Sequence, residues 1–176
     1  MIWIDSPLGE REQQDALLDL LNTTPLVTGA VEDQLSDLTS SRSWQQAHGG
    51  SGTAEERDSL LEARDALQAV ARGQESATSL APFLDGVAAR PRISPGGIAW
   101  MVEVPPERRL ALEMITAFSA LQEDMPGRLR PCANPDCRRF LIDRSNANKA
   151  RWCSMAVCGN RMKARLHYQR ARGNGG

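Results

Sequence analysis

The chain has 176 residues, 41% of them apolar and 24% charged, and its formal net charge is −1. That length buries one real core with a small appendix, and that apolar content excludes a disordered protein. No apolar run approaches the ~20 residues of a membrane span and no secretory leader is visible, so a cytoplasmic protein with reduced cysteines and no membrane partner is expected.

Ser6-Pro7 reads as an N-cap followed by Pro at the first helical position, opening a helix with Ala16, Leu17, Leu20 and Leu21 on one face. It stops near Asn22-Thr23-Thr24-Pro25, and residues 25–39 read as mixed loop. A short helix over 40–47 is expected to bury Trp44. The cluster His48-Gly49-Gly50-Ser51-Gly52 that follows reads as a flexible link. Thr53-Ala54-Glu55-Glu56 is a capping box for a helix running to about residue 72, closed by Gly73. A further helix is expected over about 75–89, with Pro82 near its start.

The stretch 90–104 breaks the helical period, and Pro95-Gly96-Gly97 between β-formers predicts a hairpin. Leu110, Met114, Ile115, Phe118 and Leu121 then recur at three- and four-residue steps, which predicts a helix over about 107–122. Pro126-Gly127 ends it. The tryptophans, Trp3, Trp44 and Trp100 among them, are read as core or edge-packing residues rather than as a cofactor box.

All four cysteines lie in the C-terminal quarter as two equal pairs, Cys132-x4-Cys137 and Cys153-x4-Cys158. Two close pairs across a short loop form the layout of a four-thiolate Zn²⁺ site, one tight turn supplying each pair of ligands. Two disulfides would need an oxidising compartment. Unrelated buried thiols would not fall into equal pairs, and an iron–sulfur cluster suits paired knuckles less well than zinc. Between the pairs, 138–143 reads as a strand, 144–149 as a turn and 150–152 as its return strand. A helix runs from Cys158 to about Arg172. Knuckle, hairpin and a helix carrying the last ligand is a treble-clef arrangement, with Phe140, Trp152, Met155, Met162 and Leu166 as its expected small core. The expected fold is therefore mainly α. A helical N-terminal domain with a small β-hairpin (1–127) precedes a C-terminal treble-clef-like four-cysteine zinc finger (128–176).

Charge divides at the same place. Residues 1–127 hold 9 basic and 20 acidic residues, whereas 128–176 hold 12 basic and 2 acidic. A basic end on an acidic body points to an anionic partner.

Several of these residues carry a family resemblance. Cys158-Gly159-Asn160-Arg161 spells the CGNR of the CGNR zinc finger. Arg128-Leu129-Arg130-x-Cys132, Asp143-Arg144-Ser145 and Arg151-Trp152-Cys153-Ser154-Met155 also resemble that finger. The N-terminal part is similar to the ABATE domain through Leu17-Leu18-Asp19-Leu20-Leu21-Asn22-Thr23 and Asp33-x-Leu35, while the glycine-rich 48–52 stretch departs from it. The resemblance implies a bacterial stress-induced transcription regulator.

On the final helix Arg161, Arg165 and Arg172 share a face with Tyr168, flanked by Lys163 and Arg170. Arg144, Lys149 and Arg151 extend the patch from the hairpin. Nucleic acid, DNA first and RNA as an alternative, is the expected partner of this surface. A protein surface, the chain's own acidic domain or plain solvent remain open alternatives. Asn160 either reads a base or caps a turn. His167 is read as a surface or packing residue, and His48, in the glycine loop, has no partner by sequence. The acidic helical domain is left with a small-molecule effector or a protein as its partner. No phosphate loop, nucleophile–base pattern or dinucleotide fingerprint is present, and four thiolates leave zinc no open position, so no enzymatic activity is expected. Loss of one thiolate is expected to unfold the finger while the N-terminal helices persist.

Overall fold

In the computed structural model, residues 2–3 and 10–173 are described, with side chains for 11–165 and 169. The expected helix start at Ser6-Pro7 lies outside them. Strand β1 (Ile2–Trp3) precedes helix α1 (Glu10–Leu21), which buries Ala16, Leu17, Leu20 and Leu21 as its period requires. The loop expected over 25–39 contains a small antiparallel ladder, β2 (Leu26–Val27) with β3 (Ala30–Val31), turning through Thr28-Gly29 at positive φ. Helix α2 (Leu38–Ala47) begins two residues earlier than expected because Asp37 caps it, accepting the Thr39 and Ser40 amides at 2.9 Å. Trp44 is half-buried rather than buried. Its indole N–H donates to Asp19 Oδ2 at 2.7 Å, and its ring stacks on His48 at 3.9 Å.

The glycine cluster is not a flexible link. Glu56 is 1% exposed, and one of its carboxylate oxygens accepts the Ser51 amide (2.6 Å), the Ser51 hydroxyl (2.9 Å) and the Gly52 amide (3.0 Å). The Thr53 hydroxyl accepts the Glu56 amide at 3.2 Å, the expected half of the capping box, while the carboxylate organises the loop ahead. Gly50 is the residue this loop demands. A Cβ there would stand 2.5 Å from Leu110 Cδ1 and 2.9 Å from the Gln45 carbonyl oxygen.

Helix α3 (Ala54–Ala71) buries Leu60, Ala63 and Leu67. The helix expected over 75–89 is instead a 3₁₀ segment (Ala77–Leu84) containing Pro82, and the chain turns extended by residue 88. Proline supplies no N–H and crowds the preceding turn, so a regular α-helix does not propagate through it. The predicted hairpin forms as β4 (Ala88–Ser94) and β5 (Gly97–Glu103), joined through Pro95-Gly96, with β1 added antiparallel to β5. After a single 3₁₀ turn, α4 (Arg109–Asp124) packs between α1 and α3 through Leu110, Met114, Ile115, Phe118 and Leu121.

Beneath this core Arg64, 3% exposed, forks onto Asp33 at 2.7 and 2.9 Å and donates to the Thr23 hydroxyl at 3.3 Å. Burial pushes the Asp33 carboxyl up, but the Arg64 hydrogen bond, the Leu35 amide and the charges of Arg64 and Arg57 together outweigh it and hold the group below its ordinary value. Among the described residues no helix is long and apolar enough to cross a membrane.

The C-terminal part holds strand β6 (Leu129–Pro131), strand β7 (Phe140–Ile142), a π-helical turn (Met155–Gly159) and α5 (Asn160–Gly173). The finger's hairpin pairs β6 with β7, Leu129 opposite Ile142, and its turn is the first cysteine knuckle. The return strand expected at 150–152 does not form. That segment gives one backbone bond, Ala133 N–H to the Arg151 carbonyl at 2.8 Å. The separate small core expected for the finger is likewise replaced. Leu129, Phe140 and Ile142 belong to the main core, Trp152 and Met162 are half-buried, Met155 is 54% exposed and the Leu166 side chain lies outside those described.

Candidate metal centre and basic surface

The first knuckle is shaped by Asn134, 1% exposed. Its side-chain oxygen accepts the Asp136 amide at 3.1 Å, and its backbone carbonyl accepts the Cys137 amide at 3.0 Å. The second is shaped by Ser154, whose backbone carbonyl accepts the Cys158 and Gly159 amides at 3.0 Å. The two turns face each other, so the four Sγ atoms all lie within 4.8 Å of one another. Cys137 and Cys153 are 3.7 Å apart, as are Cys153 and Cys158. All four cysteines are free, at separations far beyond a disulfide bond. Ligands about 2.3 Å from a tetrahedral Zn²⁺ stand about 3.8 Å from one another, so the cage fits that ion.

Two of the sulfurs accept hydrogen bonds from nearby N–H groups. Asn134 Nδ2 donates to Cys158 Sγ and the Cys153 amide to Cys132 Sγ, both at 3.4 Å. Burial raises the Cys137 and Cys153 thiols, and their sulfur neighbours add to the effect in Cys153. Burial alone would also raise Cys158, but the hydrogen bonds from Asn134 and with the neighbouring sulfurs together outweigh it and hold that thiol below its ordinary value. Four sulfurs crowded in this way are costly as anions until a cation joins them, and Zn²⁺ supplies that charge.

A family model for the CGNR zinc finger matches residues 128–171. A second, named ABATE and described as "Putative stress-induced transcription regulator", matches residues 14–128. The chain belongs to the ABATE family. No curated protein matches it significantly. The four cysteines of its CGNR finger form a zinc-binding site for one structural ion.

The ABATE part and the finger are held together by side chains. Asn22 is bonded to the Phe140 backbone like a strand partner, accepting its N–H at 2.7 Å and donating to its carbonyl at 3.3 Å. Arg72 lies 4.4 Å above the Phe140 ring and donates to the Arg138 carbonyl at 2.9 Å. Inside the finger Asp143, 1% exposed, accepts from the Ser145 amide and hydroxyl, the Ala150 amide (2.7 Å) and Arg130 (2.6 Å). Arg128 donates to the Asp143 and Ser145 carbonyls. The turn-forming character of Asn134 was legible in the knuckle's Asn and Pro-Asp, but sequence reasoning did not single out Asp143 or Asn22 for these roles. The available signals were Asp-x-Ser and Asn-Pro-Asp, both patterns of side chains that bond nearby backbone.

The expected nucleic-acid residues fall into four groups. Arg144 is committed to the body, paired with Asp15 at 2.6 Å, and Arg165 pairs with Asp136 at 3.1 Å. Asn160 donates to the Ala156 carbonyl at 3.4 Å and so caps the π turn. Lys149, Arg151, Arg161 and Lys163 are exposed, with the Arg151 guanidinium 5.2 Å from the Trp152 ring centre. The side chains of Arg170, Arg172, His167 and Tyr168 lie outside those described. Arg138 and Arg139, which the reading of the helix face passed over, are also exposed.

Proposed function

We propose that the protein is a cytoplasmic, non-enzymatic transcription regulator whose finger binds DNA through its phosphates, with zinc in a structural role. One observation carries the reading. Arg138, Arg139, Lys149, Arg151, Arg161 and Lys163 are exposed on a module with only two acids. Both acids are already engaged, Asp136 with Arg165 and Asp143 with Arg130. A surplus of exposed cations repels itself unless an anion neutralises it, and duplex DNA presents phosphates at high density. The body's acidity opposes adsorption elsewhere and orients the finger toward the duplex.

The test is a salt titration of zinc-loaded protein on random duplex. Affinity should fall on a log–log plot with a slope of about −0.9 per phosphate contact. Arg161→Ala and Lys163→Ala should each flatten that slope by about 1. Absence of binding at low salt would overturn the reading. Single-stranded RNA as competitor separates the second reading, which the half-buried Trp152 beneath Arg151 supports by offering a stacking face.

A further inference from the structure

The cross-strand register of the sheet β1–β5–β4 sorts its residues cleanly between two faces. Ile98 opposes Ile93, Trp100 opposes Pro91 and Val102 opposes Ala89, so these six share one face. Among the described residues that face carries no ionisable group. Ile93 is 78% exposed, Ile98 67% and Trp100 56%. The arginines of the hairpin lie on the opposite face, where Arg90 is paired with Glu103 at 3.1 Å.

We infer that this face is the interface of a homodimer, covered by the same face of a second copy. Three points favour that occupant. The face leaves on the order of 500 Å² of apolar surface in water, at the upper end of what a monomer exposes. Two such faces together bury on the order of 1,000 Å², the threshold of a specific interface. The face has no charge to offer, so its complement must be uncharged and apolar, and a two-fold axis supplies that complement without any further surface. Edge pairing through β4 is a poor alternative, because Pro91 in that outer strand has no N–H with which to extend the ladder. Dimerisation would carry two fingers on one particle and so extends the DNA-binding reading without depending on it.

Sedimentation velocity on the full zinc-loaded chain tests this. Wild-type protein at tens of micromolar should sediment as a dimer of two 19.3 kDa chains and dissociate on dilution. The double variant Ile98→Glu/Trp100→Glu places like charges against each other across the axis and should weaken the dimer at least 100-fold, with zinc content and circular dichroism unchanged. Because a variant can fail for other reasons, the wild type gives a second reading. Its tryptophan emission should shift to the red on dilution as Trp100 re-enters water, and Trp100→Phe should remove that shift. Wild-type protein that stays monomeric at high concentration overturns the inference, as does a dimer that survives the double variant. Duplex binding by a monomer would leave the DNA reading standing and this one refuted.

Discussion

At the scale of single residues, two side chains that are not metal ligands hold the finger in shape and in place. Asp143 gathers two amides, a hydroxyl and a guanidinium, and hydrogen bonding to Ser145 is the largest influence that holds its carboxyl at about 2, against an ordinary 3.8. A carboxyl lowered on folding stabilises the fold above its unfolded value, and that contribution fades as pH falls through the folded one. The stability gap between wild type and Asp143→Asn, measured by urea unfolding, should therefore be constant from neutral pH down to about 5 and close between 3.8 and about 2. A gap unchanged at the acid end would show that the charge of Asp143 is not what matters. Zinc release, read with a colour-forming chelator, should come first on the way down, because thiolates take up protons at higher pH than carboxylates. Asn22 acts on the other side of the seam. Asn22→Ala leaves the Phe140 N–H and carbonyl without partners in a partly buried place and should cost about 2 kcal/mol in thermal or urea unfolding.

Secondary-structure elements show where local pattern suffices and where it does not. Gly50 gives the sharpest test. A methyl group there collides with Leu110 and with the Gln45 carbonyl, and backbone cannot step aside, so Gly50→Ala should lower stability by about 2 kcal/mol. The equivalent change at Gly73 meets nothing within 4 Å, so calorimetry on the pair separates crowding from other effects of glycine loss, Gly73 bearing only the strain of its φ of +69°. The four main helices were legible because apolar residues recur at the helical period and Thr53 caps one of them. The hairpin was legible because Pro-Gly-Gly has little other use between β-formers. Three features were not. The 48–52 loop owes its order to the Glu56 carboxylate, which looks from the sequence like half of a capping box. The 77–84 segment kept helical spacing but turned 3₁₀ around Pro82. The apolar run Phe140–Ile142 was recognisable as a strand, yet strandedness does not name a partner, and Leu129–Pro131 took the place expected for 150–152. The metal ligands were legible in full, since their spacing is their chemistry. The basic surface was legible only in outline, because Arg144 and Arg165 look like their neighbours until Asp15 and Asp136 are placed beside them.

For the whole molecule, the packing of Phe140 and Ile142 among the helices predicts that zinc loss and loss of the helical core are coupled. The expectation that the N-terminal helices outlast the finger assumed a finger with its own core, but Phe140, 1% exposed, and Ile142 sit among the helices. Cys137→Ser should remove zinc and also lower the melting temperature of the helical signal, whereas an independent body would melt unchanged. Zinc binding in such modules is worth on the order of 10 kcal/mol, so even partial coupling should be plain in a melt run with and without chelator. The bond between Asn22 and Phe140 joins residues 118 positions apart. During synthesis at ~5–20 residues per second, helix α1 waits on the order of ten seconds for this partner to be made. Until then the first core residues have no lid, and contacts this distant in sequence also slow closure once both ends exist. A nascent chain stalled before residue 140 should therefore be sensitive to protease throughout its helical part, so the helical domain is completed only as the finger is made.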